Sequence, residues 1–342
     1  MTTIAAISDY HWLFTNLLVV LGFGFLAWVL WAGSHHERWQ RAWLRFRADR
    51  LGMVSLCVVG LYLFIGALET IQFPASAGGS KSLLDVVLTG RIKDEKSYSA
   101  PLAGTLLNEF NPEPLKGSHL LGTDLIGHDT LSQTLKACRT ALIIGGLTSA
   151  IYIPIGTILG LCAGYFRRRV DDGIQYFYST LASIPEILLL VSIILVWDKG
   201  LVQMSVALGI TSWVGLCRLI RGETMRQNER TYVMAARALG QSHWQIITRH
   251  LLPNVMHLVI INFILGFSGV VLAEATLSYL GVGSPVGTAS WGAMIDGARA
   301  ELSRDPMVWW NLTAAAVALF GLVLSLNLLG DSLRRAFDPK RS

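Results

Sequence analysis

Apolar runs of about 20 residues recur from one end of this chain to the other, and each is long enough to cross a bilayer as a helix. That leaves few folds open. Backbone polar groups in hydrocarbon must be satisfied within the protein, so such runs become helices, and the fold class is an all-α integral membrane protein. Seven spans are predicted, at 13–31, 51–71, 141–164, 174–196, 202–220, 255–277 and 309–329. Composition agrees: of 342 residues, 52% are hydrophobic and 15% charged. Ordinary globular chains are roughly half apolar and a quarter charged, so a soluble enzyme is disfavoured.

The net charge of +5 matters less than where the arginines stand. One group is Arg38, Arg41, Arg45, Arg47 and Arg50; a second is Arg167, Arg168 and Arg169. Six arginines lie between Arg218 and Arg249, and Arg334, Arg335, Lys340 and Arg341 form the last group. In a seven-span arrangement all four groups fall on one side, which the positive-inside rule makes cytoplasmic, with the N-terminus outside and the C-terminus inside. No polybasic tail suggests a nucleic-acid partner. Residues 1–12 carry no Lys or Arg, unlike the basic start of a secretory signal, so the first run is expected to remain as a membrane helix. Cys57, Cys138, Cys162 and Cys217 are scattered in or beside apolar runs, which points to packing rather than to zinc or disulfides.

Between the spans, residues 72–136 should form an external loop with little core of its own, and 281–308 a second one. The only sizeable internal insertion is 221–254, which reads as two short helices joined at a glycine. Tyr232, Ala235, Ala236 and Leu239 follow i, i+3, i+4, i+7 spacing and would share one apolar face, with Arg237 pointing elsewhere. Gly240 supplies a stop, Ser242–Gln245 has the form of a capping box, and Leu252-Pro253-Asn254 interrupts the second helix. Periodicity alone leaves two readings: a helix lying on lipid headgroups, or one seated in a protein groove. The alanines favour the groove, because they allow close approach and add little lipid affinity.

The string Tyr-Val-Met-Ala-Ala-Arg-Ala-Leu-Gly-Gln-Ser at 232–242, followed by Arg-His-Leu-Leu-Pro-Asn at 249–254, resembles the "EAA" loop of bacterial ATP-binding-cassette importer permeases, in their peptide/nickel branch. Three further stretches are similar to that branch: 121–129 (LGTDLIGHD), 274–281 (EATLSYLG) with Ser290-Trp291-Gly292, and 327–335 (NLLGDSLRR) running to Asp338-Pro339. The resemblance implies the C-type permease of a pair, with a type I core after an extra N-terminal helix. The implied divisions are 1–50 (first helix and basic linker), 51–71 (second helix), 72–138 (extracytoplasmic loop), 139–331 (permease domain with coupling loop 221–254) and 332–342 (cytoplasmic tail).

The same resemblance implies that Ala235, Ala236 and Gly240, with Tyr232, Leu239 and Pro253, form the element that docks on an ATPase. Its implied partners are a homologous second permease, two ABC ATPase subunits, an extracytoplasmic solute-binding protein and membrane lipid. ATP and Mg would be used by the ATPases, with no cofactor bound by this chain, and short peptides or peptide-like solutes would be the cargo. The implied location is the bacterial inner membrane. Met234 stands where the family has the glutamate that gives the loop its name; with Thr231 as N-cap, that glutamate would complete a capping box.

No lysine here follows a glycine, so there is no P-loop, and H-E-x-x-H and G-x-S-x-G are also missing. No catalytic residue is assigned. Gly156, Gly160 and Gly164 repeat every four residues and present a smooth ridge for helix packing. Pro185 should kink the fourth span beside the translocation path. Ionisable groups in a bilayer are costly, which makes Glu274 and Glu186 candidates for the path or gate. They also leave open a self-sufficient proton-coupled transporter with one of them as proton carrier, and Glu274 could equally make an interhelical hydrogen bond. His11 and the His35–His36 pair fit no metal-ligand spacing. The Gly122–Asp129 cluster lacks EF-hand order and is expected to cap the following helix.

Overall fold

A computed structural model describes residues 37–75, 79–88, 94–107, 113–197, 200–285 and 287–337. The predicted first span, His11 and the His35–His36 pair lie outside these residues, as does the end of the tail. The described chain runs α1 (Glu37–Ala48), α2 (Arg50–Thr70), β1 (Gln72–Ala75), β2 (Gly79–Ser82), α3 (Leu83–Leu88), α4 (Thr130–Phe166), α5 (Arg168–Ala182) and α6 (Glu186–Val196). It continues through α7 (Leu201–Asn228), α8 (Thr231–Ala238), α9 (His243–Ile246), a π-turn (Ile247–Leu251), α10 (Leu252–Tyr279), α11 (Trp291–Glu301) and α12 (Trp310–Phe337).

Among the described residues, five helical stretches are long and apolar enough to span a membrane: α2, α4, α7, the continuous run His243–Tyr279 and α12. The predicted span at 174–196 is instead a broken one, in which α5 and α6 meet at 82°. Pro185 lacks an N–H and disfavours helical geometry in the residue before it, so the helix ends at Ala182 and restarts at Glu186.

α4 begins at Thr130, ahead of the boundary expected at 139–141, because Asp129 caps it by accepting the Ser132 N–H at 2.7 Å. Gly122 and Gly127 take positive φ and Asp124 accepts the Ile126 and His128 N–H groups, so this cluster is capping and turn architecture. The glycine ridge packs within the chain. A Cβ on Gly156, Gly160 or Gly164 would lie 2.9 Å from Trp213 O, 2.8 Å from Cys217 O or 2.7 Å from Arg221 O, so α4 and α7 touch backbone to backbone.

The expectation that the first external loop has little core is corrected. The strands Gln72–Ala75 and Gly79–Ser82 pair antiparallel, with Gln72 opposite Ser82. Further on, Tyr98 packs with Val308 and Trp310. The Tyr98 hydroxyl donates to Glu301 Oε1 at 3.1 Å, Asn311 donates to Glu301 Oε2 at 2.8 Å, and Trp310 Nε1 donates to Thr123 O at 3.0 Å. His119 is buried between Asp129 (Nδ1 to Oδ2, 2.8 Å) and Glu95 (Nε2 to Oε1, 3.3 Å). Burial opposes ionisation of Glu95, but hydrogen bonds from His119 and from the Lys116 and Gly117 N–H groups outweigh it and hold the carboxyl below its usual range. Buried polar pairs spaced far apart in sequence thus lock this loop onto the ends of α4 and α12.

Candidate functional site

The elbow 229–254 is built by local signals. α8 closes in a Schellman motif, with Gly240 N–H bonded to Arg237 O, Gln241 N–H to Ala236 O, and Gly240 at φ +75°. The capping box at Ser242 and Gln245 is formed and starts α9. Pro253 does not end the elbow. It sits in the first turn of α10, and the π-turn before it keeps the helical run continuous. The N-cap of α8 is Arg230, not Thr231, so position 234 lies one residue too late for a capping-box glutamate.

The expected single face is also corrected. Val233 and Ala236 (5% exposed) turn into the bundle against Ile246, Ile247 and Leu251. Tyr232, Ala235 and Leu239 (81% exposed) point outward, joined by Met234 and by Trp244 (62% exposed). An eight-residue helix with apolar residues on most sides carries two overlapping stripes, and the i+3 pair Val233/Ala236 is the one the bundle takes. The outward stripe leaves a small, apolar surface exposed.

Behind it, polar contacts tie the elbow to α4 and α7, and a further pair ties α7 to α5. The Arg237 guanidinium bonds Asn228 Oδ1 and lies 5.0 Å over the Tyr165 ring; Asn228 donates to Tyr165 O at 3.3 Å, and the Tyr165 hydroxyl meets His243 Nδ1 at 2.9 Å. Arg221 grips Asp171 with two hydrogen bonds, Nε to Oδ1 at 2.5 Å and a second guanidinium nitrogen to Oδ2 at 2.7 Å, joining α7 to α5.

α5 leads to the break at Ser183–Pro185, where the chain lines a cavity of about 700 Å³. Non-helical backbone at membrane depth is tolerated where it lines such a space. Pro185 and Glu186 are both on its wall, with Tyr152, Thr211, Ser212, Asn262 and Thr276 as the other residues with polar side chains. Glu274 is not on that wall. It is buried and accepts from Ser278 Oγ at 2.8 Å, on its own helix, and from Ser284 Oγ at 3.0 Å, so these bonds fasten the turn after α10 and differ from the interhelical hydrogen bond expected as its alternative role. Sequence patterns did not reveal Asp171, Arg221, Asn228 or Asn262. Only Arg221 lay in a noted charge group, and its pairing with Asp171 across fifty residues has no local signature.

Known proteins share this arrangement at the level of sequence. The family model described as "Binding-protein-dependent transport system inner membrane component" matches residues 156–342, and "N-terminal TM domain of oligopeptide transport permease C" matches 37–74. The dipeptide transport system permease protein DppC of Bacillus subtilis (strain 168) is 32% identical over 302 residues, covering 88% of this chain and 85% of the relative. The oligopeptide transport system permease protein OppC of the same strain is 30% identical, covering 88% and 90%. DppC of Lactococcus lactis subsp. cremoris (strain MG1363) is 27% identical, covering 89% and 91%.

Proposed function

This chain belongs to the family of binding-protein-dependent transport system inner membrane components, and from that premise we propose that it carries short peptides or peptide-like solutes across the bacterial inner membrane as one permease of an ATP-driven pair. Its partners are a homologous second permease, two ABC ATPases that use ATP and Mg, and an external solute-binding protein. The N-terminus lies outside and the C-terminus in the cytoplasm. Family membership replaces the proton-coupled alternative: the driving force comes from partner subunits, and Glu186 is a lining group of the path, not a proton carrier.

The observation that carries this reading is the elbow, whose outward stripe of Tyr232, Ala235 and Leu239 is rigidly tied to the cavity-lining segments. ATPase closure pushes α8 and α9. The push passes through Arg237, Asn228 and Tyr165 to α4 and α7, and through Arg221 and Asp171 to α5 and the break at Pro185. Thr211, Ser212, Asn262 and Thr276 offer hydrogen bonds to peptide amides along the way, and the Glu186 carboxylate complements an ammonium group.

Uptake of a radiolabelled dipeptide into sealed vesicles holding the assembled complex tests it. Collapsing the proton gradient with ATP maintained should leave uptake intact, and depleting ATP should abolish it. Uptake that follows the proton gradient would return the function to a secondary transporter.

A further inference from the structure

A second cavity, of about 570 Å³, lies at the opposite end of α4 from the elbow. Its wall takes residues from the ends of α2 and α4 and from both external loops: Glu69, Ser132, Gln133, Lys136, Arg139 and Thr140, closed by 287–289. It is the reverse of a lipid-facing crevice, because charged and amide side chains dominate its lining.

Most of those charges already have partners. Lys136 Nζ is 2.7 Å from Asp85, His128 is 3.5 Å from Asp124, Asp129 is held by His119 and the α4 cap, and Asp94 is open to solvent. Glu69 has a hydrogen bond with Ser82 and lies in the field of Lys136 and Arg139, yet one of its oxygens and one Arg139 nitrogen are left over. Glu69 Oε2 and Arg139 Nε are both shielded from solvent and make no hydrogen bond among the described residues. A shielded donor or acceptor without a partner costs about 1–3 kcal/mol, so an unmet acceptor and an unmet donor beside one polar cavity suit a ligand that carries both a donor and an acceptor group.

We propose that this cavity is an external binding site for a small zwitterion, whose ammonium group meets Glu69 and whose carboxylate meets Arg139. Short free peptides carry both groups, and the volume falls within the range of small-molecule sites. If the import reading above holds, the site receives cargo on the outer side before it reaches the Pro185 cavity. Binding here needs no ATP, so it can be tested apart from transport.

Ser132 lines the cavity and serves as reporter. In the assembled complex, with Ser132→Cys in a cysteine-free background, the labelling rate by a small thiol reagent is measured against alanyl-alanine, N-acetyl-alanyl-alanine and alanyl-alanine amide. Alanyl-alanine should slow labelling, and each singly blocked probe should need about tenfold higher concentration, the loss expected for one charge-assisted hydrogen bond. In Glu69→Gln the acetylated probe should protect as well as the free dipeptide, and in Arg139→Gln the amide should do so. A merely structural role for either residue would not exchange the probes in this way.

Equal protection by all three probes, or none by any, overturns the site, and these comparisons on the unsubstituted pair hold even where a variant fails to insert. Protection that requires the solute-binding protein also overturns it, because the cavity is then a docking socket. Dipeptide uptake measured in parallel separates the two ideas: protection without uptake refutes the import reading and leaves the site, whereas uptake without protection refutes the site alone.

Discussion

Ala235 and Ala236 are neighbours in sequence, yet one faces outward and the other into the bundle, so equal substitutions should fail in different ways. Ala235→Arg places a long charged side chain on the outward stripe, where water can solvate it until a partner must cover it. Insertion and pairing with the second permease should be normal, while ATPase association and uptake fall. Ala236→Arg would bury a charge against Val233 and Ile246, costing several kcal/mol and unfolding the elbow itself. Pull-down of the ATPases, with protease sensitivity of the elbow, distinguishes the outcomes: a protease-resistant Ala236→Arg elbow, or full ATPase binding by Ala235→Arg, would contradict the assigned faces. Gly160 makes a third case. A leucine there would force Cys217 O and Ile220 Cβ away from contacts of 2.8 Å, and overpacking of this kind costs about 1–3 kcal/mol. Gly160→Leu should lower the melting temperature of the purified complex and Gly160→Ala should do so less; an unchanged transition for both would mean that α4 and α7 do not meet at this ridge.

Among elements, the α5–α7 tie deserves its own measurement because it is the shortest route from the elbow to the broken span. Asp171→Asn removes the charge from a partly buried bidentate pair and should cost about 2 kcal/mol, the scale of a hydrogen bond to a charged group. The informative readout is the split between activities. ATP hydrolysis by the complex should persist while dipeptide uptake drops several-fold, and the swap Asp171→Arg with Arg221→Asp should recover part of it. Equal loss of both activities would make the pair a scaffold and nothing more. The Asp49–Arg335 pair, joining the cap of α2 to the end of α12, gives a contrasting expectation. The hydrogen bond from Arg335 holds the Asp49 carboxyl at about 2, below its ordinary value of 3.8. A depressed carboxyl contributes stability above its unfolded pKa and loses it only as pH falls through the folded one. Asp49→Asn should therefore destabilise equally from about pH 5 to about pH 8. A difference that shrinks within that window would mean another group carries the effect.

These elements differ in how far their sequences announce them. The glycine ridge, the cap at Asp129, the capping box at Ser242 and the break at Pro185 depend on residues within one or two helical turns, so local spacing reveals them. The inward face of α8 does not follow from spacing, because eight residues with apolar groups on most sides fit more than one stripe, and only the packed bundle selects Val233 and Ala236. The Asp171–Arg221 tie, the Glu95–His119–Asp129 set and the Glu69–Arg139 cavity join residues far apart in the chain, whose types alone suggest no partner. Glu274 shows the converse. Its charge in an apolar run drew attention to the transport path, while the serines that satisfy it, Ser278 and Ser284, sit in a turn whose folding back could not be read from hydropathy.

Across the whole molecule, most of the described arginines lie at the elbow end of the helices, while Lys81, Lys96, Lys116, Lys136, Arg139, Arg299 and Arg304 belong to the other end. Arg167 pairs with Glu229 beside the elbow, Arg335 with Asp49 below α1, and His257 near the start of α10 lies 6.1 Å from Phe337 at the end of α12. The paired strands, the His119 set and α11 occupy the other end. Positive charge on loops of this size keeps an end in the cytoplasm, so the elbow end should face the ATPases and the His119 end the solute-binding protein. A useful test site must be exposed in the fold and lie outside the apolar runs. Ser303, after α11, and Arg334, in the last turn of α12 beyond the apolar run, are both exposed, whereas Ser99 and Asn228 are buried and would resist reagent on either side. In a cysteine-free background, Ser303→Cys should react with a membrane-impermeant maleimide added to intact cells, and Arg334→Cys only after permeabilisation. Labelling of both from outside would indicate leaky cells. The reverse pattern would invert the molecule, setting the elbow beyond reach of any cytoplasmic ATPase and removing the basis for ATP-driven import.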